Sequence, residues 1–254
     1  MIYDLQKASF LKRISAFLLD FILMVILITG FAWGLSSLLN FSEHSAELDT
    51  VISSYEKEFD LNFSITYDEY EKMTEEEQKF FNDSYDKVIK DERYVQLTNL
   101  IFYSLITIVS LSLFLSHLIL EFIVPLLFKN GQTVGKKIFS IAVMRVDGVK
   151  VNGVVMFVRA ILGKYTIETM VPVIILLMMR FGVGSYITLG VVLLIALFEI
   201  ILVIATKTNS FIHDILSSTV VVDLQSQMIF ESVEAKKEYQ LRLHDEEAKN
   251  AKYF

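Results

Sequence analysis

The chain has 254 residues, a formal net charge of −7 and 54% hydrophobic residues, with a clearly positive mean hydropathy. That apolar content is high for a water-soluble domain, and it is gathered into long runs rather than spread through one globular core. With no cysteine, disulfides and thiolate chemistry are excluded, and the acidic balance gives no footing for nucleic-acid binding.

Residues 1–39 carry Lys7, Lys12 and Arg13 against Asp4, and then a first membrane helix. Ile14–Leu39 is 26 residues with a single charge, Asp20. About 20 mostly apolar residues in a helix cross a bilayer core. The run is too long for a signal-peptide core, and no small-residue cleavage pattern follows, so no cleaved leader is expected. Gly30 and Gly34 stand four apart, a spacing that lets helices approach closely.

Residues 40–96 hold 16 Asp/Glu against six Lys/Arg. Ser45–Phe59 has helical spacing, with Leu48, Ile52 and Tyr55 on one face. Thr74 with Glu77 three later is a capping-box signature. The helix it starts carries Phe80, Phe81, Tyr85, Val88 and Ile89, and is expected to run into the second span. Between the two lies "DLNFSITYDEYE", in which Asp60, Asn62, Ser64, Asp68 and Glu71 fall at positions 1, 3, 5, 9 and 12 of a calcium loop. That loop needs glycine at its sixth position, where this chain has Ile65. Leu61, Phe63, Ile65 and Tyr67 alternate instead, which suits a short strand. The segment is read as a solvated acidic cap, mostly helical.

Residues 97–128 are a second span with one charge, Glu121; Ser112 and Ser116 repeat the four-residue small spacing. Residues 129–159 form a basic loop. Its "GQTVGKK" lacks the spacing and the Ser/Thr of a phosphate-binding loop and reads as a polar hinge at the membrane surface. "FSIAVMRVDGVKV" reads as a hairpin turning at Asp147-Gly148. Residues 160–206 hold two spans. Tyr165–Met179 contains only Glu168, with Arg159, Lys164 and Arg180 placed to snorkel at its ends. Gly182, Gly184 and Ser185 form a turn, and Phe181–Thr206 contains only Glu199. In residues 207–254, "SSTVVVDL" is a short strand candidate that would join the hairpin in one small sheet, and Glu231–Lys252 is a charged helical tail.

The basic segments 1–13 and 129–164 assign the cytoplasmic side. Four spans then put both termini in the cytoplasm and 40–96 outside. The expected fold class is an α-helical integral membrane protein with four transmembrane helices, an acidic extracytoplasmic insertion and a small cytoplasmic β-hairpin element.

Three motifs in this order resemble the RDD family of multi-pass membrane proteins. "RISAFLLD" supplies the family's arginine and first aspartate as Arg13 and Asp20. "GQTVGKKIFSIAVMRVDG" is similar to its Gly-Gln-Thr-Gly-Lys segment and hairpin. "FIHDILSSTVVV" supplies His213 and the second aspartate, Asp214. The resemblance covers 10–38 and 100–223, and leaves 40–96 and the tail unmatched. It implies a fold and, through some members, sodium–proton antiport.

Each of the four spans brings one carboxylate from the cytoplasmic side: Asp20, Glu121, Glu168 and Glu199. At 1.5 Å rise per residue, Asp20, Glu121 and Glu199 lie roughly 10–12 Å below that surface. Carboxylates facing lipid cost ~2.5–3.5 kcal/mol each, so they are expected to face inward, paired, protonated or cation-bound. His117 lies one turn outward of Glu121 and would extend a relay. The expected proton- or cation-binding residues are therefore Asp20, Glu121, Glu199, Glu168 and His117, with Arg13, Lys136 and Asp214 as gating or ion-pair residues. The competing structural reading has Asp20 paired with Lys136, locking hinge to bundle.

The expected function is transport of protons or monovalent cations in the cell membrane. The alternative is a non-transporting assembly, sensor or anchoring protein working through 40–96 and the tail. No Ser/His/Asp set, metal-hydrolase helix or intramembrane-protease motif is visible, so no enzyme, cofactor or metal is expected. Expected partners are the lipid bilayer, a proton or monovalent cation, a further copy of the chain and a protein partner for 40–96, but no nucleic acid.

Overall fold

A computed structural model describes residues 5–180 and 186–251, and the expected turn at Gly182, Gly184 and Ser185 lies outside them. The described chain is mainly helical, with one two-stranded sheet. Four helices are long and apolar enough to cross a membrane: α1 (Phe10–Leu38), α5 (Glu92–Leu127), α7 (Gly153–Met179) and α8, whose apolar stretch is Ile187–Ala205. Between and after them come α2 (Phe41–Phe59), α3 (Tyr67–Glu71), α4 (Glu75–Lys90), α6 (Val134–Ile138), α9 (Ile212–Leu216) and α10 (Val233–Ala251). The strands are β1 (Ile141–Arg145) and β2 (Thr219–Asp223).

The third span starts earlier than its apolar run. Asn152 is extended and its side chain accepts from the Val155 amide, so the helix is capped at Gly153 rather than near Ala160. Two stretches have π-helical winding, Leu118–Ile123 in α5 and Val158–Met170 in α7. Such winding is rare and often found at functional sites. Here it coincides with Glu121 in one stretch and with Arg159, Lys164 and Glu168 in the other.

The chain divides into two compact units, residues up to Ile28 with Leu113 onward, and Thr29–Ser112. In the first, β1 and β2 pair antiparallel with Val143 opposite Val221. The expected three-stranded sheet is not formed. After the Asp147-Gly148 turn, Lys150 bridges back to Met144 and Val149 to Phe230 as isolated pairs. On the other edge the N-terminal segment pairs with β2, Ala8 N donating to Val221 O and Asp223 N to Gln6 O. Both edges of this small sheet are thereby covered, which blocks edge-to-edge pairing. Lys12 Nζ also donates to Asp223 Oδ2 at 2.5 Å. One face of the sheet packs Ile141, Val143 and Val221 against Ala8, Ala16 and Met156, so the first turns of α1 belong to this core.

In the second unit, α2 begins at Phe41, and Thr74 and Glu77 form the anticipated capping box on α4. Two expectations fail here. Residues 61–67 are not a strand, because Asn62 Oδ1 accepts from the Ser64 amide and Thr66 caps α3. Phe63 turns inward onto Phe81 and Tyr85, with ring centroids 5.6 and 5.8 Å away. The helix started by Thr74 does not run into the second span either. Asp91 takes an extended backbone, and its Oδ1 accepts from the Tyr94 amide at 2.8 Å, so it ends α4 and caps α5. Among the described residues no group of three or more His, Asp or Glu is placed to hold a metal ion.

Candidate functional site

The site lies in the first unit, where charged side chains of α1, α5, α6, α7 and α9 are buried together. On α1 the helical spacing puts Arg13, Ala16 and Asp20 on one face, and Ala16 and Asp20 are buried. Asp20 is held by the polar hinge. Its Oδ1 accepts from the Gly135 amide at 2.7 Å and its Oδ2 from the Thr133 hydroxyl at 2.5 Å. Thr133 also caps α6, its hydroxyl accepting from the Lys136 amide. A Cβ at position 135 would stand 2.2 Å from Ala16 O, so only glycine allows this approach. The expected Asp20–Lys136 pair is replaced by this neutral donor set.

Lys136 points instead to Glu121, its Nζ 3.9 Å from Oε2. Lys164 donates to Glu121 Oε1 at 2.5 Å, while Oε2 has no hydrogen-bond partner. Lys164 is therefore turned inward and does not snorkel. Arg159 departs further from its expected place at the interface. It is 1% exposed and binds Asp214 Oδ1 through Nη2 at 2.7 Å and through Nε at 3.2 Å.

Arg13 and Asp214 meet across the chain. Arg13 Nη2 lies 3.8 Å from Asp214 Oδ2, Nη1 donates to Asn209 O at 2.8 Å, and the guanidinium lies over the Phe211 ring. The two aspartates named by sequence thus have different company, Asp20 with the hinge and Asp214 with two arginines. Asp214 Oδ2 also accepts from the Phe211 amide and caps α9.

Glu168 accepts from the His213 amide at 2.8 Å and faces His213 Nδ1 at 2.8 Å. His213 Nε2 lies 3.6 Å from Asp214 Oδ2. Contact of α7 with α9 is close enough that a Cβ at Gly163 would meet His213 Cβ at 2.5 Å. Glu199 of α8 lies within interaction reach of the Glu168 carboxyl, and its Oε1 is buried without a hydrogen-bond partner. Among the described residues no Lys or Arg forms an ion pair with either Glu168 or Glu199. His117 uses Nδ1 toward Leu113 O at 2.9 Å, which assigns the proton to Nδ1. Its Nε2 faces Thr169 Oγ1 at 3.4 Å rather than a carboxylate.

The carboxylates therefore do not form one uniform layer. Asp20, Glu121 and Asp214 have fixed donors, whereas among the described residues Glu168 has His213 as its hydrogen-bond donor and neither Glu168 nor Glu199 has a Lys or Arg ion pair. Sequence reasoning missed Arg159 and Lys164 as inner residues. A usable signal was present: several carboxylates in apolar spans need cations of similar number, and Arg159 and Lys164 are the only Lys/Arg within Gly153–Met179.

Comparison with known sequences places residues 7–218 within the sequence profile of the RDD family. No curated protein and no solved structure matches the chain.

Proposed function

We propose, given that this chain belongs to the RDD family and has four helices fit to cross a membrane, that it exchanges protons for monovalent cations across the cell membrane at the Glu168–Glu199 pair. One observation carries this reading. Two carboxyl groups on different spans lie close enough to interact, and among the described residues no lysine or arginine forms an ion pair with either. A neighbouring pair of this kind favours holding one proton between the two groups, because two ionised carboxylates repel. Counting supports it. Asp20, Glu121, Glu168, Glu199 and Asp214 face Arg13, Lys136, Arg159 and Lys164, so the group is neutral when one carboxyl keeps a proton and His213 is uncharged.

A monovalent cation that displaces the shared proton leaves the net charge unchanged. That neutrality suits a low-dielectric site, where an uncompensated charge is costly. His213 holds Glu168 in place, and Asp20, Glu121 and Asp214 fix α1, α5 and α9 around the pair. In this reading both termini and the sheet face the cytoplasm, the 40–96 segment lies outside, and a second copy of the chain completes the permeation wall.

The test is proton flux in proteoliposomes loaded with a pH dye, with sodium, potassium or lithium added outside. Cation-dependent flux is expected for the natural chain, and its loss in Glu199→Gln and Glu168→Gln variants that keep their helical content. Flux unchanged in both variants overturns the assignment to this pair.

A second reading is favoured by the pairing of Asp20, Glu121 and Asp214 with fixed donors, which is what a structural lock requires. There the protein is a non-transporting assembly, sensor or anchoring module that works through 40–96 and the tail. It predicts no flux for any cation, and loss of function when 42–92 are deleted.

A further inference from the structure

Two short helices outside the four long apolar ones are built inside out. In α6 the buried residues are Gly135 and Lys136, whereas Ile138 is 62% exposed. In α9 the buried residues are His213 and Asp214, whereas Ile215 and Leu216 are 47% and 48% exposed. A helix resting on a protein in water does the reverse, with aliphatic side chains toward the core and charges toward solvent. The same reversal appears on α7, where Arg159 is buried and Leu162 is half exposed. It is the arrangement expected where the surroundings are less polar than the protein interior.

Both helices also lie against segments that would be in the membrane. Gly135 touches α1 at Ala16 and Asp20, and Asp20 is ten residues beyond the start of that helix, ~15 Å along its axis. His213 touches α7 at Gly163, ten residues into that span. The outward aliphatic residues of α6 and α9 thus continue the lipid-facing surface of the spans. At α6 the charge pattern agrees, because the exposed Lys137 folds its stem back so that Nζ lies 3.8 Å from the centre of the Phe128 ring, a snorkelling posture at the level of anionic headgroups.

We propose that α6 and α9 are seated in the cytoplasmic leaflet, with Ile138, Ile215 and Leu216 among phospholipid acyl chains. The membrane-embedded body then consists of four spans and two half-inserted helices. Their polar sides close the charged site from the cytoplasm while their apolar sides meet lipid. This follows from burial and contact alone and stands whether or not the protein transports anything.

Nitroxide labelling tests it directly, since the chain has no cysteine and each introduced one is unique. Ile138→Cys, Ile215→Cys and Leu216→Cys would be labelled in the full chain, reconstituted in phosphatidylcholine–phosphatidylglycerol vesicles. Ile200→Cys on α8 and Glu246→Cys on α10 serve as lipid and water references. Collision with oxygen and with a water-soluble nickel chelate is read by power saturation. The proposal expects all three labels to match position 200, with oxygen collisions high and nickel collisions low. Labels that match position 246 overturn it, because the helices would be bathed in water. Labels shielded from both reagents also overturn it, because protein, such as a second copy of the chain, would cover these faces. A water-like signal at position 200 itself would refute the membrane placement as a whole, a failure distinct from that of α6 and α9.

Discussion

Arg159 and Asp214 are among the most deeply buried side chains of the protein, each 1% exposed. Their two-point contact satisfies the Asp214 carboxylate, yet Arg159 Nη1 remains without a partner. Removing one member of such a pair costs ~3–5 kcal/mol, because the other charge is left buried, whereas removing both costs far less. Arg159→Met is therefore expected to destabilise the protein strongly. Arg159→Met combined with Asp214→Leu should be more stable than either single change. Thermal unfolding in detergent, arranged as a double-mutant cycle, measures this. If the double variant is no better than Arg159→Met, then Arg13, 3.8 Å from Asp214, carries more of the interaction than its distance suggests.

At the scale of the element, α6 is tied to two of the long helices. Five residues long, it joins Asp20 through the Gly135 amide and Glu121 through Lys136. Its seat depends on the missing side chain at 135, since a Cβ there would lie 2.2 Å from a backbone oxygen that cannot move aside cheaply. Gly135→Ala is expected to cost at least the ~1–3 kcal/mol typical of overpacking, and to release the Thr133–Asp20 contact. Gly30→Ala and Gly34→Ala offer the contrast. A methyl group added at either position would meet nothing within 4 Å, so each change should stay within ~0.5 kcal/mol. Unfolding midpoints of the three variants, measured side by side, decide it. A midpoint for Gly135→Ala equal to that of Gly30→Ala would show that α6 is not seated against α1.

At the scale of the molecule, the Thr29–Ser112 unit carries carboxyls whose titration its helix caps shift. In the Thr29–Ser112 unit, the Tyr94 amide first and the Tyr55 hydroxyl second hold the Asp91 carboxyl below the usual carboxylate range. The Thr74 amide and hydroxyl do the same for Glu77. Groups lowered in the folded state add stability that is present above their unfolded values and is lost as pH falls through the folded ones. Acidification below the ordinary carboxylate range should therefore loosen this unit at the α4–α5 junction, where Asp91 caps a helix. Circular dichroism against pH, for the natural chain and for Asp91→Asn, checks it, and the variant should lose part of the acid-dependent change. An identical titration would mean that Asp91 does not contribute.

Four helices apolar enough to cross a membrane, the capping box at Thr74 and the two strands of the small sheet were legible in the chain, because hydropathy, cap chemistry and β-branched runs are local signals. Membership in the RDD family was legible for the same reason, as three short motifs in order. The break at Asp91 could have been found from its cap position, but apolar periodicity on both sides masked it. The alternation at Leu61–Tyr67 misled because an Asx turn overrides a period of two. The partners of the charges were decided only in three dimensions. Asp20 and Lys136 were both visible, and nothing local tells that Asp20 takes Thr133 and Gly135 while Lys136 takes Glu121. Burial direction was equally hidden. A lysine or arginine beside an apolar run can snorkel outward or turn in, and the choice falls to whichever carboxylate the fold brings within reach. The sequence by itself determined how many helices are long and apolar enough to cross a membrane, and that the carboxylates within them need partners. Tertiary structure alone decided which of those charges neutralise one another, because pairing depends on distances between segments far apart in the chain.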